Sequence, residues 1–336
     1  MKDTLNIIRK LTFKRVWNLF LLKGSYLLGR YLKLSKVAGA PYALSIEPTT
    51  ACNLGCPECP SGLKQFTRKT GRLQLDMNKK ILDEVGSGVF YINYYFQGEP
   101  YLHPQFTSLI QEAKKRKIYT ATSTNAHFLS AKKAEETVTS GLDRLIISID
   151  GLTQNTYENY RIHGKLEKVI EGTRQIVAAK RRLKSTTPHL IFQFLVVRQN
   201  EHEIEELHRL ANELGVDEVR LKSVQVYDYK NGNELLPSDI RYSRYKRNRD
   251  GTYSLKAKTG NHCWRMWSST VFTWDGILVP CCFDKDAQHQ LGDLKIHSFR
   301  KIWFGEKYTA MRKAIITQRN QIDICTNCSE GAKVWV

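Results

Sequence analysis

Eight cysteines, in two sets, are the residues of this sequence most able to do chemistry. The first set is Cys52-Asn-Leu-Gly-Cys56-Pro-Glu-Cys59, three thiolates within eight residues, with Gly55 and Pro57 available to shape a tight loop. Soft thiolate ligands suit an iron–sulfur cluster or a zinc ion. Three cysteines on a four-iron cluster leave one iron open to an external ligand, whereas a zinc knuckle would use the same sulfurs structurally. The second set is Cys263, Cys281-Cys282 and Cys325-x-x-Cys328. Thr270 to Pro280 reads as a β-hairpin turning at Asp275-Gly276, which brings Cys263 and Cys281 toward one site. A helical stretch from Ser298 to Thr317 then returns the chain to the Cys325/Cys328 pair. Four thiolates on one centre fit either a structural zinc ribbon or a fully ligated cluster.

Such residues need a scaffold, and the pattern between them supplies one. Strand-like runs fall at Tyr42–Glu47, Val89–Phe96, Ile118–Ser123, Arg144–Ile149, His189–Val197 and Glu218–Val224. Helical periodicity covers Met77–Val85, Pro104–Arg116, Ala131–Ser140, Leu166–Arg182 and His202–Leu214, the last stopped by Gly215. Six such alternations predict an α/β fold, a parallel sheet with outer helices, and place chemistry at the C-terminal ends of the strands. The chain divides on this reading into a basic amphipathic segment (1–41), the β/α region (42–225), a basic and aromatic connector (226–262) and a cysteine-bearing C-terminal domain (263–336).

The CxxxCxxC spacing resembles the defining motif of the radical S-adenosylmethionine (SAM) superfamily, and further segments extend the resemblance over most of the chain. Gln97-Gly98-Glu99-Pro100, after the second strand, is similar to the family's GGEP segment at the SAM amine, with Gln97 in place of glycine. Ser123-Thr124-Asn125-Ala126 occupies the place of its TNG turn, with Ala126 in place of glycine. Ser148-Ile149-Asp150-Gly151 matches a segment near the SAM ribose and carboxylate, and Arg161 fits the arginine that pairs with that carboxylate. The resemblance implies a partial (β/α)6 TIM-like barrel. It also implies a [4Fe-4S] cluster on Cys52, Cys56 and Cys59, with SAM on the open iron. SAM contacts are then expected from Gly98, Glu99, Ser123, Asn125, Ser148, Asp150 and Arg161. In that family SAM is cleaved reductively to a 5′-deoxyadenosyl radical, which removes hydrogen from an unactivated C–H bond. The reducing electron comes from a donor such as flavodoxin or ferredoxin. No catalytic acid or base is identified.

The second set resembles the shortened SPASM module called Twitch, which implies a small hairpin-and-helix domain with one auxiliary [4Fe-4S] cluster. Cys263, Cys281, Cys325 and Cys328 are its expected ligands, with Cys282 a bystander, since strand alternation lets only one of the adjacent pair face the cluster. A cluster with four cysteines has no iron open to substrate. Electron transfer to or from a substrate radical, and hence a net oxidation such as dehydrogenation, is the role this implies.

The flanks and the charge bear on partners. The formal charge is +19, and clusters in both sets lower it only to about +16, which favours an anionic substrate such as a sugar phosphate or a lipid-linked intermediate; a peptide substrate is weakened by the lack of a separate peptide-recognition domain. A zinc-binding protein that contacts nucleic acid, or a radical SAM enzyme acting on RNA, is the rival reading of the same charge and of the basic, aromatic run Tyr227–Arg249. The longest uncharged apolar run, Val16–Leu22, is far short of the roughly 18 residues a spanning helix needs, and no secretory signal is evident; a cytoplasmic location is expected. Residues 1–36 gather Phe13, Val16, Trp17, Phe20, Gly24, Leu27, Leu28 and Tyr31 near one helical face between basic residues. That face fits either the surface of an anionic membrane or packing against the rest of the protein.

Overall fold

The computed structural model describes residues 2–257 and 259–330; the last six residues of the expected 263–336 domain lie outside them, as do Met1 and Lys258. The chain forms two compact units. One takes in the described parts of Met1–Ala51, Phe66–Thr122 and Gly260–Gly331, the other those of Cys52–Gln65 and Ser123–Thr259.

Six strands fall where the alternation puts them: β1 (Ala43–Ile46), β2 (Tyr91–Asn93), β3 (Tyr119–Thr124), β4 (Arg144–Ser148), β5 (His189–Val196) and β6 (Glu218–Ser223). In the first unit β1 pairs in parallel with β2, and β2 with β3. In the second, β4, β5 and β6 pair in parallel. β5 reads HLIFQFLV with only two polar residues, as expected of a strand buried on both faces, and Leu190, Ile191, Phe192 and Phe194 are fully buried. The intervening helices are Leu75–Glu84, Phe106–Lys115, Ala131–Ser140, Leu166–Arg182 and Ile204–Leu214. Each buries one apolar stripe, as in Ala131–Ser140, where Ala134, Thr137 and Val138 face inward and Ser130 caps the start.

Two features escape a local reading. The helix Gln154–Tyr160, too short and polar to show a period, is set by a Thr153/Thr156 capping box and carries Arg161 at its end. The helical stretch expected at Ser298–Thr317 is two helices, Phe299–Trp303 and Glu306–Gln318, broken at Phe304-Gly305.

The hairpin expected after Cys263 is present as β9 (Ser269–Phe272) and β10 (Ile277–Val279), with β11 (Gly292–Asp293) beside β10. Here tertiary structure adds something unforeseen. β9 pairs in parallel with β1, Ala43 opposite Ser269 through Ile46 opposite Phe272, so the C-terminal hairpin extends the sheet of the first unit. The connector also folds: β7 (Tyr245–Arg247) and β8 (Tyr253–Leu255) form an antiparallel ribbon in the second unit.

Candidate active site

The Cys52–Cys59 loop leaves the C-terminal end of β1, where a parallel sheet presents its chemistry. Within the second unit the loop sits in an apolar nest: Leu54 and Cys56 are buried with Tyr160, Val197, Val224 and Tyr245, and Cys52 and Cys59 pack against them. Tyr245 comes from the connector. Its hydroxyl bonds both the N–H and the carbonyl of Val226 at 3.2 Å, and its ring stacks on Tyr229 at 4.5 Å. Tyr229 and Tyr245, two aromatics of the basic run, pack here around the cysteine loop.

Residues far apart in sequence meet this loop. Asn125 donates from Nδ2 to Asn53 Oδ1 at 2.8 Å, and its own turn keeps the glycine conformation of the motif, since Ala126 holds φ +63°. Asp150, fully buried, accepts from the Leu195 N–H at 2.7 Å and from Arg161 Nε at 2.5 Å. Arg161 Nη1 in turn points at Cys56 Sγ, 3.7 Å away. Burial opposes the Arg161 charge, but Asp150 and then Cys56 outweigh it and hold its pKa well above the ordinary arginine value. Burial likewise pushes the Cys56 thiol up while Arg161 pulls it back. Ser148, the last residue of β4, is buried beside this group in sequence, whereas Ser123 on β3 is half-exposed.

Asn200 is a residue that sequence reasoning missed. Its side chain is fully buried and makes three backbone hydrogen bonds: Nδ2 to the carbonyls of Asp150 and Leu195, both at 2.9 Å, and Oδ1 from the Val197 N–H at 2.8 Å. It ties the end of β5 to Asp150, and no spacing rule points to it. An Asn200→Ala variant is expected to lose about 3 kcal/mol, because buried backbone groups forfeit their partner; chemical denaturation of wild type and variant checks this.

In the first unit, Gly98 and Glu99 lie against the chain that enters the cysteine loop. The Glu99 N–H donates to the Ala51 carbonyl at 2.8 Å, and its carboxylate accepts from the Tyr101 N–H at 3.1 Å. Gly98 has φ +74°, and a β-carbon there would stand 2.2 Å from the Thr49 carbonyl oxygen.

The second cysteine set gathers in the first unit. Burial pushes the Cys281 thiol well up, and the adjacent Cys282, then Cys263 and Cys328, act on it in the same direction. Arg319, itself 2% exposed, faces Cys263, Cys328 and Cys325. Its Nη2 lies 3.5 Å from Cys328 Sγ, which also accepts from the Glu330 N–H at 3.3 Å. Cys282 instead has Arg265 Nη1 at 3.8 Å, and Arg265 pairs with Glu330 at 2.7 Å. Burial raises the Cys263 thiol to about 11 and pushes Cys325 and Cys328 up.

A cysteine loop following the first strand of a parallel α/β pattern, with a second set of five cysteines on the C-terminal segment, defines a class of two-site thiolate proteins. Residues 46–211 match the radical SAM superfamily and residues 263–329 the SPASM iron–sulfur cluster-binding domain. The chain belongs to the radical SAM superfamily and carries a SPASM domain. It is similar to the tungsten-containing aldehyde ferredoxin oxidoreductase cofactor-modifying protein of Pyrococcus furiosus, 27% identical over 85% of this chain and 86% of that one. It is similar also to the PqqA peptide cyclase of Gluconobacter oxydans, 30% identical over 59% of this chain and 54% of the cyclase, about half that protein's length. Among solved structures, Streptococcus suis SuiB bound to S-adenosylmethionine superposes with a TM-score of 0.65 at 15% identity, covering 91% of this chain and 76% of SuiB. At that identity the likeness is one of fold: α/β, a partial barrel with an appended cluster-binding domain.

Membership brings iron–sulfur clusters and SAM as cofactors, and the donors fit them. Each cysteine group is approached by a guanidinium N–H donor, Arg161 at Cys56 and Arg319 at Cys328, as suits the negative charge of a thiolate-bound cluster. Among the described residues no three His, Cys, Asp or Glu side chains converge closely enough to share a single ion. A four-iron cluster takes one thiolate per iron, so it does not require them to.

Proposed function

We propose that this protein reductively cleaves SAM and oxidises an anionic substrate by hydrogen abstraction. Cys52, Cys56 and Cys59 would hold the first cluster, and Cys263, Cys281, Cys325 and Cys328 the auxiliary one. When bound, the first cluster and SAM supply a carbon radical able to take hydrogen from an unactivated C–H bond. The observation that carries the reading is that Asn125, which follows β3, and Asp150 and Arg161, which follow β4, all reach the Cys52–Cys59 loop, directly or through one another.

The roles follow from chemistry. Arg161 offers a guanidinium fixed by Asp150, a suitable partner for the SAM carboxylate. Gly98 and Glu99 offer backbone and a carboxylate for its amine. Ser123, Asn125 and Ser148 offer hydroxyl and amide groups for the remainder of the ligand. The apolar nest around Leu54 and Tyr245 keeps water from the loop, which protects a reactive carbon radical. Cys281 is favoured over Cys282 as the auxiliary ligand because its neighbours are Cys263 and Cys328, whereas Cys282 faces Arg265. A site with four cysteines has no open iron for substrate, which leaves electron transfer and favours a net oxidation. The charge of +19 favours an anionic substrate and a small acidic electron donor, such as flavodoxin or ferredoxin. The names of the relatives add peptides and cofactors to the candidate substrates.

Iron and sulfide content after anaerobic reconstitution tests the reading, on the intact chain and on a Cys52/Cys56/Cys59→Ala variant. About eight irons falling to about four is expected, with 5′-deoxyadenosine formation by the intact, reduced protein and none by the variant. A colourless protein that carries zinc and leaves SAM intact would overturn it.

A further inference from the structure

The second helix of the chain, Phe13–Leu32, follows a short one at Lys2–Ile8 and has two faces of opposite character. One face is built into the first unit. Arg15, Leu22, Ser25, Tyr26 and Gly29 are its buried residues. Arg15 Nη1 donates to the carbonyls of Lys10 and Lys117 at 2.6 and 2.9 Å. Tyr26 meets Trp264 and Trp267 edge-on at 5.2 and 5.7 Å. Asn18 Nδ2 donates to the Ala40 carbonyl at 2.7 Å. The helix is thus seated by its small and polar side, and its most apolar side takes no part in the seating.

That other side carries Phe13, Trp17, Phe20, Leu28 and Tyr31, which are 84%, 57%, 67%, 47% and 67% exposed. At 100° per residue they fall within one sector about 80° wide, opposite Leu22 and Gly29. The stripe runs the length of a 20-residue helix, about 30 Å. Lys14 lies on one shoulder of the stripe, Lys23 and Arg30 on the other. Leu5 and Ile8 of the preceding helix and Leu32 and Leu34 beyond are also exposed. Residues 1–41 contain nine Lys or Arg and one acid, Asp3, whose carboxylate is taken up by the Tyr119 hydroxyl.

We propose that this face docks the protein on the surface of a bilayer rich in anionic lipid, the helix lying in the interfacial plane. Aromatic rings favour the headgroup boundary, and basic side chains on both shoulders reach the phosphates above it. No described helix is long and apolar enough to cross a membrane, so contact is with the surface. A second copy of the chain is a poor occupant, since apposing two such faces brings two strongly basic segments together. A protein partner would have to meet a narrow stripe walled on both sides by cations, which protein interfaces tend to exclude from their centres.

The test is co-sedimentation of the full reconstituted chain with vesicles of phosphatidylcholine alone and of phosphatidylcholine with phosphatidylglycerol. Partition into the anionic vesicles is expected to be at least about tenfold stronger, and to weaken with added salt. Trp17→Glu/Phe20→Glu should abolish it while leaving thermal stability and iron content unchanged, since both side chains are exposed. Lys14→Glu/Arg30→Glu should lower binding to anionic vesicles specifically. Three results would overturn the proposal: a wild type that stays in solution with anionic vesicles, a Trp17→Glu/Phe20→Glu variant that binds as the wild type does, or a wild-type dimer that the same variant makes monomeric in the absence of vesicle binding.

Discussion

A Gly98→Ala variant is expected to lose more than about 4 kcal/mol of stability and to emerge from reconstitution without its first cluster. The added β-carbon would stand 2.2 Å from the Thr49 oxygen and 2.8 Å from the Ala51 oxygen, with the backbone at φ +74°. Neither oxygen yields easily. The Thr50 N–H between them is bonded to the Gly71 carbonyl at 3.0 Å, and Ala51 accepts from Glu99. Relief would require residues 49–51 to move, and Cys52 follows at once. Gly86 supplies the control, because it has φ +72° and nothing within 4 Å of a β-carbon. Gly86→Ala should show only the left-handed penalty of about 1–2 kcal/mol and keep all its iron. Thermal denaturation and iron counts on the two variants separate crowding from backbone strain. Equal behaviour of the pair would mean that the close approach at Gly98 holds nothing in place.

The second large effect is expected at Asp150. Asp150→Ala strands the guanidinium of Arg161 and removes the acceptor of the Leu195 N–H. Breaking one side of a buried pair costs about 3–5 kcal/mol, because a desolvated charge is left behind. Arg161 without Asp150 would also lose the contact that aims it past Cys56, so SAM cleavage should fall with stability. Asp239–Arg241 is an ion pair at the surface, 2.6 Å apart, where solvent screens the charges and disruption should leave stability nearly unchanged. A double-mutant cycle over Asp150 and Arg161 is expected to show strong coupling, the double variant losing less than the sum of the singles. Additive losses would show that the two do not act as a unit.

Much of the candidate site was legible because its signals are local. Three cysteines in eight residues need no tertiary information to be recognised as one ligand group. Asp150 and Arg161 were visible through the resemblance to the superfamily's motif order, Asp150 just after a strand and Arg161 eleven residues beyond it. The departures at Gln97 and Ala126 were visible as residue types, but only the structure showed that Ala126 keeps a positive φ. Asn200 was invisible, since its three partners are backbone groups assembled by the turn after β5 and the end of β4. Arg265 and Arg319 were equally silent, because a surface arginine and one aimed at a cysteine sulfur look alike in one dimension.

The sequence by itself determined the β–α rhythm, the two cysteine groups and the motif order, all of which rest on spacing along one chain segment. It determined too that the segment holding Phe13 to Tyr31 would form an amphipathic helix. Only the tertiary structure decided which of that helix's faces is buried, and the choice was the less apolar one. Hydrophobic periodicity records that a face wants cover, whereas the backbone carbonyls that Arg15 bonds and the Trp264 and Trp267 rings that receive Tyr26 come from distant segments. The same holds for β9 beside β1 and for the connector over the cysteine loop. Each joins residues separated by many others, and such pairings are selected by the free energy of the whole core, which no local pattern encodes.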